Sequence, residues 1–155
     1  MRYAYINTCD ICNGKYFGVS LFVQGCHFHC PNCFNQSTWD FNGGKEFTIE
    51  TMRHLIKLID RPYIKRFTLL GGEPLAPENI ETSKEILRVI KETYPNKQVW
   101  LFTGYVMENI PDKSILKYVD ILVDGPYKHE LRDLSLAFRG SSNQRVIKKE
   151  EFPCI

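Results

Sequence analysis

The chain has 155 residues, 43% of them hydrophobic and 25% charged, with 20 basic side chains against 18 acidic ones and a formal net charge of +2. These are ordinary values for one globular domain, and they exclude a disordered tail, a collagen-like repeat and a coiled coil. The balanced charge predicts neither a nucleic acid nor a membrane partner, and no apolar run approaches the roughly 18 residues of a membrane span.

In chain order, Met1–Asn7 lacks the apolar segment of a secretory signal, which predicts a cytoplasmic protein. Val19–Val23 is an apolar, β-branched run that reads as a buried strand and leads through Gln24-Gly25 into Cys26. Thr48 is a good N-cap for a helix with Met52, Leu55, Ile56 and Ile59 at i, i+3, i+4 and i+7; Phe47 is placed to staple onto Met52. That helix stops before Arg61-Pro62. Phe67–Leu70 reads as a second strand, ending at Gly71-Gly72-Glu73-Pro74. A second helix follows Pro77, with Ile80, Ser83, Ile86, Leu87 and Ile90 on one face and Pro95-Asn96 as its stop. Val99–Phe102 is a third strand ending at Thr103-Gly104. Pro111 is expected to start a short helix through Leu116, and Ile121–Val123 is a fourth strand ending at Asp124-Gly125.

Strand and helix alternate from residue 19 to residue 125, which predicts a mostly parallel sheet with crossover helices. A complete eightfold barrel takes about 250 residues, so this chain supplies at most about five strand–helix units. The expected fold is therefore α/β, an incomplete β/α barrel in a single domain spanning residues 1–155. Its open side would suit a large partner.

Six cysteines stand at positions 9, 12, 26, 30, 33 and 154. In a cytoplasmic chain they point to metal or redox chemistry rather than to disulfides. Cys9-x2-Cys12 with Cys30-x2-Cys33 has the spacing of a four-thiolate zinc site. Cys26-x3-Cys30-x2-Cys33 is a compact trio able to hold three corners of a cubane iron–sulfur cluster, leaving the fourth iron free of protein ligands. A buried strand feeding straight into Cys26 favours the trio, because α/β folds place ligands at the carboxyl ends of their strands. The zinc arrangement, a binding module without chemistry of its own, stays open.

Cys26-His27-Phe28-His29-Cys30-Pro31-Asn32-Cys33 resembles the CxxxCxxC motif of radical SAM enzymes, and Gly71-Gly72-Glu73-Pro74 resembles their GGE motif. Thr8-Cys9-Asp10, Asn13-Gly14, Cys33-Phe34-Asn35-Gln36-Ser37-Thr38-Trp39 and Arg139-Gly140-Ser141-Ser142-Asn143-Gln144-Arg145 are similar to segments of the activating proteins of anaerobic ribonucleoside-triphosphate reductase. The resemblance covers nearly the whole chain. It implies a [4Fe-4S] cluster on Cys26, Cys30 and Cys33, and S-adenosylmethionine contacts at Asn32, Cys33, Phe34, Gly71, Gly72, Glu73 and Thr103. Asn32 stands where many radical SAM enzymes carry an aromatic residue.

The implied reaction is reductive cleavage of S-adenosylmethionine to a 5′-deoxyadenosyl radical that installs a glycyl radical on the reductase. An electron donor such as flavodoxin and a homodimer or a mixed oligomer with the reductase go with it. An activase of another glycyl radical enzyme, of formate-lyase type, is the alternative within this chemistry. A Cβ at Gly72 is expected to intrude on S-adenosylmethionine while leaving the cluster assembled. His27 and His29 are expected to be loop residues, Trp39 and Trp100 packing residues, and Cys154 a free thiol. Arg139 and Arg145 read either as solvated charges or as a carboxylate-binding or partner-contacting pair.

Overall fold

The four apolar runs become four neighbouring parallel strands. The computed structural model describes residues 1–155. Its strands are β1 (Arg2–Asp10), β2 (Gly18–Val23), β3 (Lys45–Glu46), β4 (Arg66–Gly71), β5 (Gln98–Phe102), β6 (Ile121–Asp124) and β7 (Arg145–Lys148). They form one mixed sheet in the order β3-β1-β2-β4-β5-β6-β7. The central β2, β4, β5 and β6 run parallel, whereas β1 and β3 at one end and β7 at the other are antiparallel to their neighbours.

Two helices cross over between these strands: α1 (Ile49–Ile59) links β3 to β4, and α2 (Ile80–Thr93) links β4 to β5. Thr48 caps α1 as expected; its Oγ1 accepts from the Thr51 amide at 3.3 Å while the Thr51 hydroxyl accepts from the Thr48 amide at 3.2 Å. All five residues expected on the inner face of α2 are buried. The third helix differs from expectation. It is a 3-10 run over Lys113–Tyr118, begun by Asp112 accepting from the Ser114 amide at 2.9 Å rather than by Pro111.

Alternation along the strands divides the sheet into two faces. Val19, Leu21, Val23, Phe67, Leu69, Val99, Leu101 and Leu122 join Leu55, Ile59, Ile86, Leu87 and Ile90 of the helices in the main core. Phe22, Leu70, Phe102 and Val123, at the alternate positions, line a cavity on the opposite face. Residues 126–144 and the loop over residues 26–39, which carry little regular structure, supply much of the remaining cover there, with Cys12 and Asn13 added from the turn after β1. No helix is long and apolar enough to cross a membrane.

Candidate active site

The cavity, about 830 Å³ in volume, opens over the carboxyl ends of the parallel strands. Each strand delivers the residues expected of it: Cys26 after β2, Gly71-Gly72-Glu73 around the end of β4, Thr103-Gly104 after β5, Gly125-Pro126 after β6. A loop leaving such a strand end exposes backbone and side chains without disturbing the ladder below it.

The cysteine loop is pinned at its start and turned within. Gly25 N donates to Thr38 O at 2.7 Å and Cys26 N to Trp39 O at 3.1 Å, while Cys33 N donates to Cys30 O at 3.1 Å. Cys26, Cys30 and Cys33 are free thiols, each half-buried, and all three line the cavity. Burial pushes the Cys26 and Cys30 thiols above the ordinary thiol range, so ligation at these positions would release protons. The Asn35 amide lies 3.3 Å from Cys33 Sγ and donates to it.

No three His, Cys, Asp or Glu side chains converge on a single point as one metal ion requires. The four cysteines of the zinc arrangement therefore do not meet: Cys9 is exposed on β1 and is not a lining residue, whereas Cys12 faces the same cavity as the trio. A cubane asks for something else, because each thiolate takes a different iron and the three need only face one volume. Four thiols line the cavity; three of them, Cys26, Cys30 and Cys33, belong to one short loop and fit three corners of such a cluster, whereas Cys12 reaches the cavity from the separate turn after β1.

The histidines of the loop are occupied elsewhere. His27 Nε2 lies 2.9 and 3.0 Å from the two carboxylate oxygens of Glu78, and His29 stacks on Trp39 with centroids 4.5 Å apart. Asn32 is exposed with φ +58° and does not line the cavity; Phe34 lines it, its ring 5.1 Å from that of Tyr127.

Glu73 is 2% exposed, and its carboxylate is held by three donors: Leu75 N at 2.9 Å, Thr103 Oγ1 at 2.7 Å and Gly104 N at 2.7 Å. Burial nevertheless raises its pKa to about 7. Thr103 thus meets the carboxylate directly, and the pair locks the end of β5 to the end of β4. The sequence expectation for Gly72 needs correcting. A Cβ there would lie 2.4 Å from Gly25 O and 2.9 Å from Thr38 O, striking the backbone that carries Cys26 before any ligand.

Asn79 shapes the site without a local sequence signal, and the 139–145 segment contributes residues with separate parts. Asn79, 1% exposed, donates from Nδ2 to Gln24 O at 3.1 Å and to Glu73 O at 3.0 Å, joining the two loops. Gln144 accepts from Gly140 N at 2.9 Å and donates to Gly125 O at 3.0 Å. Arg139 lines the cavity, whereas Arg145 is spent on Asp124, at 2.9 Å from Nε, and on Glu108, at 2.8 Å from Nη2, so the two arginines are not a pair.

Comparison with known proteins matches residues 12–147 to a family described as a 4Fe-4S single cluster domain. The chain is 42% identical over 146 residues to the anaerobic ribonucleoside-triphosphate reductase-activating protein of Enterobacteria phage T4, covering 94% of this chain and 93% of that one. The protein of the same name in Escherichia coli K12 is 37% identical over 150 residues, 94% and 97% covered. That of Pasteurella multocida is 32% identical over 158 residues, 98% and 100% covered. The chain belongs to the anaerobic ribonucleoside-triphosphate reductase-activating protein family. The matched 4Fe-4S region takes in Cys26, Cys30 and Cys33 and leaves out Cys9 and Cys154.

Proposed function

We propose that this chain is a radical SAM activase of anaerobic ribonucleoside-triphosphate reductase, working in the cytoplasm, with Cys26, Cys30 and Cys33 as its [4Fe-4S] ligands. The observation that carries this reading is the meeting of three free thiols and the Gly71-Gly72-Glu73 loop in one cavity at the strand ends. When bound, the cluster and S-adenosylmethionine supply the radical chemistry: one electron cleaves the sulfonium–C5′ bond, giving methionine and a 5′-deoxyadenosyl radical that takes a hydrogen atom from a glycine Cα of the reductase.

The chain's own part is binding, orientation and exclusion of water. Cys26, Cys30 and Cys33 would hold the cluster and leave it an open position for the methionyl part of S-adenosylmethionine. Glu73, through Thr103 and Gly104, fixes the β5 loop as a wall of the cavity. Phe22, Leu70, Phe102 and Val123 floor it with apolar surface that keeps a reactive radical away from water. The sheet serves in this reading as an incomplete barrel whose open side admits the reductase. A flavodoxin-type donor supplies the electron, and the working assembly is a homodimer or a mixed oligomer with the reductase.

Anaerobic reconstitution with iron and sulfide, followed by assays for methionine and 5′-deoxyadenosine, tests the chemistry. Cys26→Ala is the decisive variant, since the cluster requires that thiol and a zinc site on Cys9, Cys12, Cys30 and Cys33 ignores it. Loss of iron and of cleavage is expected; full retention of both would overturn the reading. A glycyl-radical doublet in electron paramagnetic resonance is expected on mixing with reductase, and cleavage without a doublet would point to another target protein.

A further inference from the structure

Arg139 makes no salt bridge or hydrogen bond in the fold, its charge felt only at longer range by Asp133, whose carboxyl the Ser135 hydrogen bonds chiefly and this guanidinium in small part hold below the ordinary range. It is the only arginine, lysine or histidine among the residues lining the cavity. Its Nε is buried without a hydrogen-bond partner, and its guanidinium belongs to none of the chain's salt bridges. Arg145, six residues on, shows the contrast, being bound to both Asp124 and Glu108. A desolvated donor left unpaired costs stability, so its retention asks for an acceptor that arrives with a ligand.

The loop that presents Arg139 is braced independently of its side chain. Gly140 N and Ser141 N donate to Gln144 Oε1 at 2.9 and 3.2 Å, Gln144 Nε2 donates to Gly125 O at 3.0 Å, and Asn143 Nδ2 donates to Pro126 O at 2.7 Å. These bonds fasten the segment to the end of β6, so the backbone that carries Arg139 is in place before a ligand arrives. The other ionisable groups of the lining are the thiols, two tyrosines and the carboxyls of Glu73 and Asp133. One cation in such a wall selects the anionic part of a ligand that is otherwise neutral or positive. A guanidinium fork matches a planar carboxylate through two parallel N–H donors, and no second cation stands in the wall to share the larger charge of a phosphate.

We propose that Arg139 receives the carboxylate of the methionyl part of S-adenosylmethionine. The inference rests on the S-adenosylmethionine chemistry proposed above, and it adds a residue from the C-terminal segment to a site otherwise built from the strand ends.

Anaerobic equilibrium binding to the reconstituted full chain tests it, with S-adenosylmethionine and its decarboxylated analogue as probes. Removing the carboxylate also removes any contact it makes with the cluster, but does so in every variant alike, so the comparison between variants isolates the coupling to Arg139. Arg139→Gln should weaken S-adenosylmethionine roughly 10- to 100-fold, as loss of a charge-assisted pair does, and leave the analogue within about twofold. Arg139→Lys, which keeps the charge and loses the fork, should fall between.

Unchanged S-adenosylmethionine affinity in Arg139→Gln would overturn the assignment. So would equal weakening of both probes in both variants, which would make Arg139 a loop brace, or a loss confined to reductase binding, which would give it to an acidic group of the partner. If wild-type protein with its full iron content bound neither probe, the proposed chemistry itself would fail and the inference with it. Binding and cleavage by wild type with an indifferent Arg139→Gln would sink the inference alone.

Discussion

Replacing Gly72 by alanine should damage the cysteine loop, with any loss of cofactor affinity as a consequence. The new Cβ would stand 2.4 Å from Gly25 O, about 1 Å inside ordinary contact, and 2.9 Å from Gly25 C and Thr38 O. All three are backbone atoms and cannot swing aside as a side-chain tip would. Relief has to come from the bonds that hold them: Glu73 N to Gly25 O at 2.7 Å, Gly25 N to Thr38 O at 2.7 Å and, one residue on, Cys26 N to Trp39 O at 3.1 Å. Overpacking of this kind costs about 1–3 kcal/mol and the weakening of one of these bonds about 1 more, which gives a destabilisation of about 2–4 kcal/mol. For a chain of this size that lowers the melting temperature by roughly 4–16 °C.

Gly104 is the internal control, because a Cβ there meets only the Phe28 ring, at 2.8 Å, and that ring is 36% exposed and free to turn. Circular dichroism melts of both apo variants, followed by iron content after reconstitution, make the comparison. Gly72→Ala should lose stability and iron together, and Gly104→Ala should stay within about 1 kcal/mol of wild type. A Gly72→Ala protein melting within 2 °C of wild type, by the scale just used, would refute the steric argument.

Glu73 should make the apo-protein less stable as pH rises. Its folded pKa of about 7 lies above the ordinary 4.5, so the folded state keeps a proton that the unfolded state gives up; the stabilisation is complete below about pH 4.5 and is lost on the way to 7. The full loss is about 3 kcal/mol, and urea unfolding at pH 5 and pH 8 should show a difference that Glu73→Gln reduces; an equal difference in both proteins would exclude Glu73 as its source. Arg66→Met should cost about 3–5 kcal/mol by chemical denaturation, since it strands the buried Asp10 carboxylate 3.8 Å away and the carbonyls of Asp10 and Lys15. Asn79→Ala should cost about 2 kcal/mol, one for each bond between the loops, and lower iron uptake at pH 7; stability unchanged within 0.5 kcal/mol would remove Asn79 from the frame of the site.

What could be seen in the sequence was what is local. Largely apolar runs of three to five residues mark β2, β4, β5 and β6, and the residue types that follow each run mark the cavity wall. β1 escaped notice because Tyr3, Tyr5 and Ile6 are interleaved with polar residues without a strict period, as befits a strand lying half-buried near the sheet's end. β7 is only four residues long and β3 only two. In the sequence Cys12 belongs only to the zinc spacing, yet the turn after β1 brings it to the cavity of the trio. Gly72 was assigned a ligand contact because motif spacing says which residues cluster and not which atom lies nearest a missing Cβ. Asn79 and Gln24 are 55 residues apart, and nothing local in either announces their bond.

The clearest case of this blindness is Arg66, which any composition argument places in water and which is fully buried. It begins β4 on the face that the helices do not cover, and a sheet face without helices has to be closed by other means. Arg66 does this with polar groups. Nη2 donates to Asp10 O at 2.7 Å, Nε to Lys15 O at 3.0 Å and Nη1 to Thr68 Oγ1, which draws the turn after β1 across the amino ends of β2 and β4. Asp10 returns the favour, accepting from Cys12 N at 2.7 Å, Asn13 Nδ2 at 2.7 Å and Ser20 Oγ. Beside this network Phe138 sets its ring edge-on to Trp100 at 5.2 Å and brings the C-terminal segment over the same face. Trp100 is 2% exposed, a packing residue as its sequence context suggested. The network sits toward the amino ends of β2 and β4 and the cysteine loop at the carboxyl ends, with Phe138 over mid-strand Trp100 forming part of the cavity wall between them, so the inner face is closed below and open above. Loss of the Arg66 network should therefore weaken the whole fold by the several kcal/mol expected of Arg66→Met, whereas loss of Arg139 should leave stability unchanged and alter only what the cavity holds.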